Sequence, residues 1–89
     1  MRSQPETLMT GVVFGESPRW GPDGRLWFAD WGVHEILAVD LDGNSEVMAR
    51  LEAPSFQAIC VDWLPDGRLL IVASRDARLL KRAAALQPA

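Results

Sequence analysis

The side chains of this sequence that could act as nucleophiles or bases are few and scattered. Cys60 is the only cysteine and His34 is the only histidine, so a thiol nucleophile would have one imidazole available as its base. Cys60 lies in the apolar run 58–61, and this setting favours a small buried hydrophobic residue over a nucleophile. His34 falls in a short connection between two apolar segments. A single histidine in such a place is more often incidental than a ligand.

The positions of several aspartates and tryptophans favour structural roles over catalytic or binding roles. Asp30 and Asp62 are next to apolar strand residues, where a carboxylate lines a channel or bonds to backbone at a sheet edge. We favour the structural role for both. Trp20 and Trp63 recur at equivalent positions, which favours packing between repeats over a sugar-binding surface. Four further aspartates lie in turns, which is a sufficient explanation for each: Asp23, Asp42, Asp66 and Asp76.

Length and composition limit the classes of protein to which this chain can belong. The 89 residues are 48% hydrophobic and 24% charged, and this length gives one small domain or part of a larger one. A net charge of −3 gives no reason to expect nucleic acid or an anionic membrane as partner. The longest aliphatic run, residues 69–73, is too short to cross a bilayer, and residues 1–10 lack the apolar core of a signal peptide. Together with the lone cysteine, these features predict a cytoplasmic protein.

A repeat organises the chain. Residues 20–28 (WGPDGRLWF) recur 43 positions later as residues 63–71 (WLPDGRLLI). In both copies Pro-Asp-Gly predicts a turn, because proline fixes φ, aspartate bonds to its own backbone and glycine accepts a positive φ. The apolar segments on either side make each copy a β-hairpin. A period in the forties that carries short strands is typical of one propeller blade per repeat.

We therefore predict an all-β fold made of two antiparallel blades, with four strands in the first and an incomplete three in the second. The predicted divisions are a lead-in at 1–10, a first blade at 11–51, a partial second blade at 52–82 and a tail at 83–89. Pro18 interrupts the first strand. The remaining predicted strands are 25–31, 35–41, 45–51, 56–64, 68–74 and 78–82. In the fourth strand, alternation places Val47 and Ala49 on one face, and the alanine-rich tail indicates a short helix or disorder.

A family resemblance follows from the first hairpin and the residues before it. Residues 14–20 (FGESPRW), the Asp-Gly-Arg-Leu turn and residues 28–30 (FAD) resemble the opening of the SMP-30/gluconolactonase family. Residues 62–68 (DWLPDGR) are similar to that family's second blade, and the resemblance covers residues 11–82. It implies a six-bladed propeller that hydrolyses lactones or related sugar-acid esters with a bound divalent cation. Calcium is the first choice, and zinc, magnesium and manganese are alternatives.

The resemblance assigns one site residue, Glu16, which matches the glutamate that binds the cation at the propeller's centre. A carboxylate between Gly15 and Pro18, on a first strand without complete pairing, can point into an axial channel instead of into a sheet. Hard cations take six or more oxygen ligands, so Glu16 would be one ligand of several. The alternative is a solvated charge near a strand end.

The rest of the family's site has no counterpart in this sequence. The family's asparagine and aspartate ligands, and its sugar-contacting Arg-x-Asn-Asp segment, come from later blades. One carboxylate cannot fix a divalent cation or activate its water. We therefore expect an N-terminal fragment of a lactonase that is inactive alone. A second class stays open, namely a non-catalytic propeller used as a binding or assembly module.

Two blades are also expected to associate. They leave apolar faces uncovered and strand edges unpaired, and fewer than three repeats rarely hold together alone. Either the chain is cut from a longer one, or its missing strand comes from another molecule. We predict self-association, and its sharpest form is a trimer that closes one six-bladed ring.

Overall fold

A computed structural model describes residues 4–52, 58–73 and 78–85, and within them the chain is all β. The described residues form two antiparallel sheets, a first sheet of order β1-β2-β3-β4 and a second sheet of order β5-β6-β7. The predicted all-β class with four strands and then three is confirmed. The strands are β1 (Gly15–Trp20), β2 (Leu26–Asp30), β3 (Glu35–Val39), β4 (Ser45–Arg50), β5 (Ile59–Trp63), β6 (Arg68–Ala73) and β7 (Arg78–Ala85).

Among the described residues there is no helix that is long and apolar enough to span a membrane. Parts of three predictions fall outside the described residues: the start of the fifth strand near residue 56, the turn at 76–77 and the tail residues 86–89.

The two predicted Pro-Asp-Gly turns close with the same hydrogen bonds. Gly24 N–H donates to the Gly21 carbonyl at 3.1 Å, and Gly67 N–H donates to the Leu64 carbonyl at 2.9 Å. Gly24 and Gly67 have φ values of 78° and 87°, which a residue with a Cβ rarely adopts. The turn chemistry anticipated from sequence is therefore present in both copies.

Strand register repeats with the same 43-residue offset. Trp20 faces Leu26 in the first sheet, as Trp63 faces Leu69 in the second. The next pair of strands agrees as well, because the partners in β2 and β3 have their counterparts in β6 and β7. These matched pairs are Phe28 with Leu37 and Ile71 with Leu80, Ala29 with Ile36 and Val72 with Leu79, and Trp27 with Ala38 and Leu70 with Lys81. The sequence repeat is therefore a structural repeat.

The hydrophobic core lies between the two sheets. We call the surfaces that meet there the inner faces, and the opposite surfaces the outer faces. The first sheet contributes Trp27, Ala29, Ile36 and Ala38, and the second contributes Ile59, Val61, Leu69 and Ile71. Among the strands, Cα atoms of the two sheets approach within 8 Å only where β5 meets β1 and β2. The sheets thus come closest where the first strand of the second sheet, β5, runs beside β1 and β2 of the first.

The two inner faces are not equivalent in the repeat, so the sheets pack head to tail. Trp27 and Ala29, on the inner face of the first sheet, correspond to Leu70 and Val72, on the outer face of the second. A two-fold arrangement would bring equivalent faces together. Here the first sheet uses one face toward the second sheet, and the second sheet uses the opposite face of its repeat toward the first.

Two details of the strands differ from prediction. The pairing of β3 with β4 shifts between Ile36 and Leu37, which face Ala49 and Val47. This irregularity puts Val47 and Ala49 on opposite faces, so the predicted simple alternation is wrong. Strand β7 runs to Ala85, which pairs with Arg68. A helix over 83–85 is therefore wrong, because backbone pairing with β6 outweighs the helix propensity of alanine.

Cys60 is exposed, which corrects the prediction that it is buried. Its neighbours Ile59 and Val61 point into the core. Because side chains alternate along a strand, Cys60 lies on the outer face of the second sheet. The apolar run suggested burial on both faces, but only one face of β5 is covered within the described residues.

Candidate functional site

Glu16 lies on β1 at an irregularity that its repeat does not share. Glu16 faces Ala29 and Arg19 faces Trp27, so β1 holds one extra residue between these pairs. At the repeat position Ile59 faces Ala73, and β5 pairs with β6 without a shift. A shift of one residue turns a side chain to the other face of a sheet. The bulge therefore gives Glu16 a different orientation from that of Ile59, which packs in the core.

Ser17 forms the centre of this bulge. Its φ is 57°, a left-handed conformation that is uncommon outside glycine, asparagine and aspartate. Its Oγ accepts a hydrogen bond of 3.3 Å from the backbone N–H of Val61 in the second sheet. Pro18 has no N–H to donate to a neighbouring strand. The bulge is thus set by Ser17 and Pro18, and it is tied to the second sheet.

Replacing Ser17 tests this local geometry. We expect Ser17→Gly to stay within about 1 kcal/mol of the wild-type free energy of unfolding, because relief of the left-handed conformation offsets the lost acceptor. Ser17→Val should cost about 1–3 kcal/mol, since a β-branched residue is strained at this φ. Urea unfolding of both variants measures the difference. Equal stabilities would contradict the left-handed assignment.

The exposed Glu16 borders a groove of about 350 Å³ beside the outer face of the first sheet. Every other residue of the groove wall is apolar: Val12, Gly15, Pro18, Leu26 and Phe28. The site therefore offers one carboxylate at the edge of an apolar surface. A group of this kind can pair with a cation or add one oxygen ligand to a metal ion.

Residues of one chain do not complete a metal site in the part of the chain that the structure describes. No group of three or more histidine, cysteine, aspartate or glutamate side chains stands close enough there to hold a metal ion. Glu16 alone falls short of the six or more oxygens that a hard cation takes. Any cation at Glu16 therefore needs ligands from elsewhere.

Asp30 has a structural role instead of lining a channel. It is 3% exposed, and its carboxylate accepts hydrogen bonds from the backbone N–H groups of Val13 at 2.9 Å, Phe14 at 3.0 Å and Gly32 at 3.0 Å. Burial raises the pKa of Asp30, but the backbone donors, Val13 first, lower it more, so the pKa lies below its usual value. The favoured structural role is confirmed, because Asp30 fastens the lead-in segment to the first sheet.

The tryptophans join the two sheets. The rings of Trp63 and Trp27 meet edge to face with centroids 5.3 Å apart. The Trp31 Nε1–H group donates to the Ile59 carbonyl at 2.8 Å, and its ring stacks on Phe14. Packing between repeats is therefore confirmed for Trp63. Its repeat equivalent, Trp20, is 57% exposed.

Two structural features of the site were not anticipated from sequence. The partners of Asp30, namely Val13 and Phe14, lie 17 and 16 residues before it and have no local sequence signal. Ser17 is marked only by the proline that follows it. His34, in the connection after β2, has a φ of 60°, and its carbonyl accepts from the N–H of Leu51 at 2.9 Å, which extends the pairing of β3 with β4 by one bond.

Comparison with family models, with curated proteins and with solved structures found no match to this chain.

Proposed function

We propose that this chain forms the first two blades of a six-bladed propeller of the SMP-30/gluconolactonase type, in which Glu16 is one ligand of a divalent cation. The observation that carries the proposal is the bulge in β1. It turns Glu16 away from the orientation of its repeat equivalent Ile59, which is buried. Bulges are over-represented next to active sites, where they re-aim a side chain.

The packing of the sheets supports the propeller part of the proposal. The 43-residue register repeat, the head-to-tail use of the faces and the close approach of the first strands are all properties of successive blades around an axis. In that arrangement β1 is the innermost strand. Glu16 then stands beside the central channel, where ligands from other blades would complete the coordination of the cation.

The proposed substrate class is a small lactone, and calcium is the first-choice cation. The 89 residues supply one carboxylate to the proposed site, Glu16, and none of the residues that would serve as the base or contact the sugar. We therefore propose that the chain binds a cation only when other blades surround Glu16, and that it has no appreciable lactonase activity alone. Cytoplasmic localisation stays a prediction from the sequence.

A non-catalytic propeller module for binding or assembly is the second candidate. The apolar wall of the groove beside Glu16 favours it, because sugar lactones are polar and carry hydroxyl groups. In this case Glu16 is a solvated charge at a packing surface.

Calcium binding tests the first candidate. Three chains that close a six-bladed ring would bring three copies of Glu16 to one axis, where like charges repel unless a cation neutralises them. We expect calcium to raise the melting temperature of the wild-type protein but not that of Glu16→Gln. Glu52→Gln, which removes another exposed carboxylate, is the matched control and should keep the wild-type shift.

A calcium shift that persists in Glu16→Gln would remove Glu16 from the site and favour the second candidate. Lactone turnover, measured in the same buffers, should be absent in all three proteins. Turnover that is present in the wild type and lost in Glu16→Gln would show that the chain is not inert.

A further inference from the structure

We propose that the partner of this protein is a second copy of the same chain, bound head to tail: the outer face of the second sheet in one copy packs on the outer face of the first sheet in the next. This inference goes beyond the proposed function and does not depend on a metal ion or a lactone. It rests on the repeat equivalence of the faces.

The outer face of the second sheet is the counterpart of a surface that is already buried in the chain. Leu70, Val72 and Leu79 stand at the repeat positions of Trp27, Ala29 and Ile36, which form the inner face of the first sheet. Two of these counterparts are open to solvent, since Val72 is 39% and Leu79 is 68% exposed, and Leu70 is half-buried. An apolar face of this kind is built to be covered.

The outer face of the first sheet is the matching receptor. Pro18, Leu26 and Phe28 stand at the repeat positions of Val61, Leu69 and Ile71, which pack against the first sheet inside the chain. The same three residues line the groove of about 350 Å³ beside β1. The lead-in segment covers part of this face, since Val12 borders the groove, but it leaves the groove open.

Trp20 identifies a specific contact between copies. In the chain Trp63 packs on Trp27, and the repeat equivalents of this pair are Trp20 and Leu70. Trp20 is the most exposed of the four tryptophans. A second copy that docks by the same geometry would bring its Leu70 to this ring and bury it.

One charged side chain, Lys81, stands on the docking face of the second sheet. Lys81 replaces the buried Ala38 at the equivalent position on the outer face of the second sheet. The lysine stem can lie on apolar surface while its ammonium group reaches solvent, so the substitution is compatible with docking.

Head-to-tail contact has a consequence that an isologous dimer lacks. A head-to-tail dimer keeps one unused face of each kind, one on each copy, so association continues until a ring closes. Head-to-tail contact also predicts that two variants, each with a different face blocked, can bind each other through their remaining open faces. The first variant is Trp20→Lys, on the first sheet, and the second is Leu79→Lys, on the second sheet.

Sedimentation velocity under reducing conditions tests the proposal with these proteins. We expect the wild type to associate at micromolar concentration, and each blocked variant alone to sediment as a monomer with at least tenfold weaker association. An equimolar mixture of the two variants should form a dimer that grows no further. Leu41→Lys, in an exposed turn, is the matched control and should associate like the wild type.

Several results would overturn the proposal. A monomeric wild type would leave the faces to be covered by further repeats of one chain instead of a second copy. A blocked variant that still dimerises alone would show an isologous contact, and a mixture that stays monomeric would exclude complementary faces. Thermal unfolding shows whether each variant is folded. If Leu79→Lys is unfolded, Val72→Lys takes its place, and if Trp20→Lys is unfolded, Trp20→Ser takes its place.

Discussion

Replacing Trp27 by alanine is expected to lower the free energy of unfolding by about 3–5 kcal/mol, the largest effect that we expect of a single substitution. Trp27 is fully buried between the sheets. Its ring meets that of Trp63, and its Nε1–H group donates to Asp23 Oδ1 at 2.9 Å. Truncation leaves a cavity at the centre of the only core among the described residues and deprives the first hairpin turn of a donor.

Because both sheets share this core, we expect them to unfold in one transition at a lower urea concentration. Trp20→Ala is the matched control, since Trp20 belongs to the same hairpin but is mostly exposed. Its effect on unfolding should stay below about 1 kcal/mol. The Leu79→Lys background keeps association out of the measurement. If Trp27→Ala and Trp20→Ala lost similar amounts of unfolding free energy, Trp27 would not be at the centre of the core.

The second large effect is expected at Asp30. Asp30→Asn retains the size of the side chain, but it replaces one acceptor oxygen by an amide donor that faces backbone N–H groups. We expect a loss of about 2–3 kcal/mol at neutral pH, together with release of the lead-in segment to proteolysis. Asp42→Asn, in the exposed turn before β4, is the control and should lose little.

Acid should affect the wild type more than Asp30→Asn. The pKa of Asp30 in the folded protein is lowered, so its contribution is fully present above the unfolded-state pKa of about 3.9. The contribution is lost as pH falls through the lower folded-state pKa. Urea unfolding from neutral pH into this acid range should therefore show a steeper loss for the wild type. Parallel curves for the two proteins would contradict the role of Asp30.

The hairpins, the number of strands and the repeat were predictable because their determinants are local. Pro22, Asp23 and Gly24 specify a turn without help from the rest of the chain, and their counterparts 43 residues later do the same. Sequence periodicity also identified which strands pair. The head-to-tail use of the faces needed the structure, because both faces of β2 and β6 are apolar in sequence.

The failures of prediction have tertiary causes. Cys60 looked buried because its neighbours are apolar, but within the described residues nothing packs on that face of β5. Residues 83–85 looked helical because alanine favours helix, but β6 offers a strand to pair with. At the site the sequence singled out Glu16 through a resemblance. For the left-handed Ser17 the only sequence signal is the proline that follows it, and its contact with Val61 in the second sheet is a tertiary one.

The head-to-tail packing of two repeats is the central claim, and proton–proton Overhauser contacts to Trp27 test it most directly. In the monomeric Leu79→Lys variant we expect the Trp27 ring to show contacts to the Trp63 ring and to the methyl groups of the inner-face residues Ile59, Val61 and Ile71. Contacts from Trp27 to Leu70 and Val72 in their place would mean that equivalent faces meet, and would contradict the account.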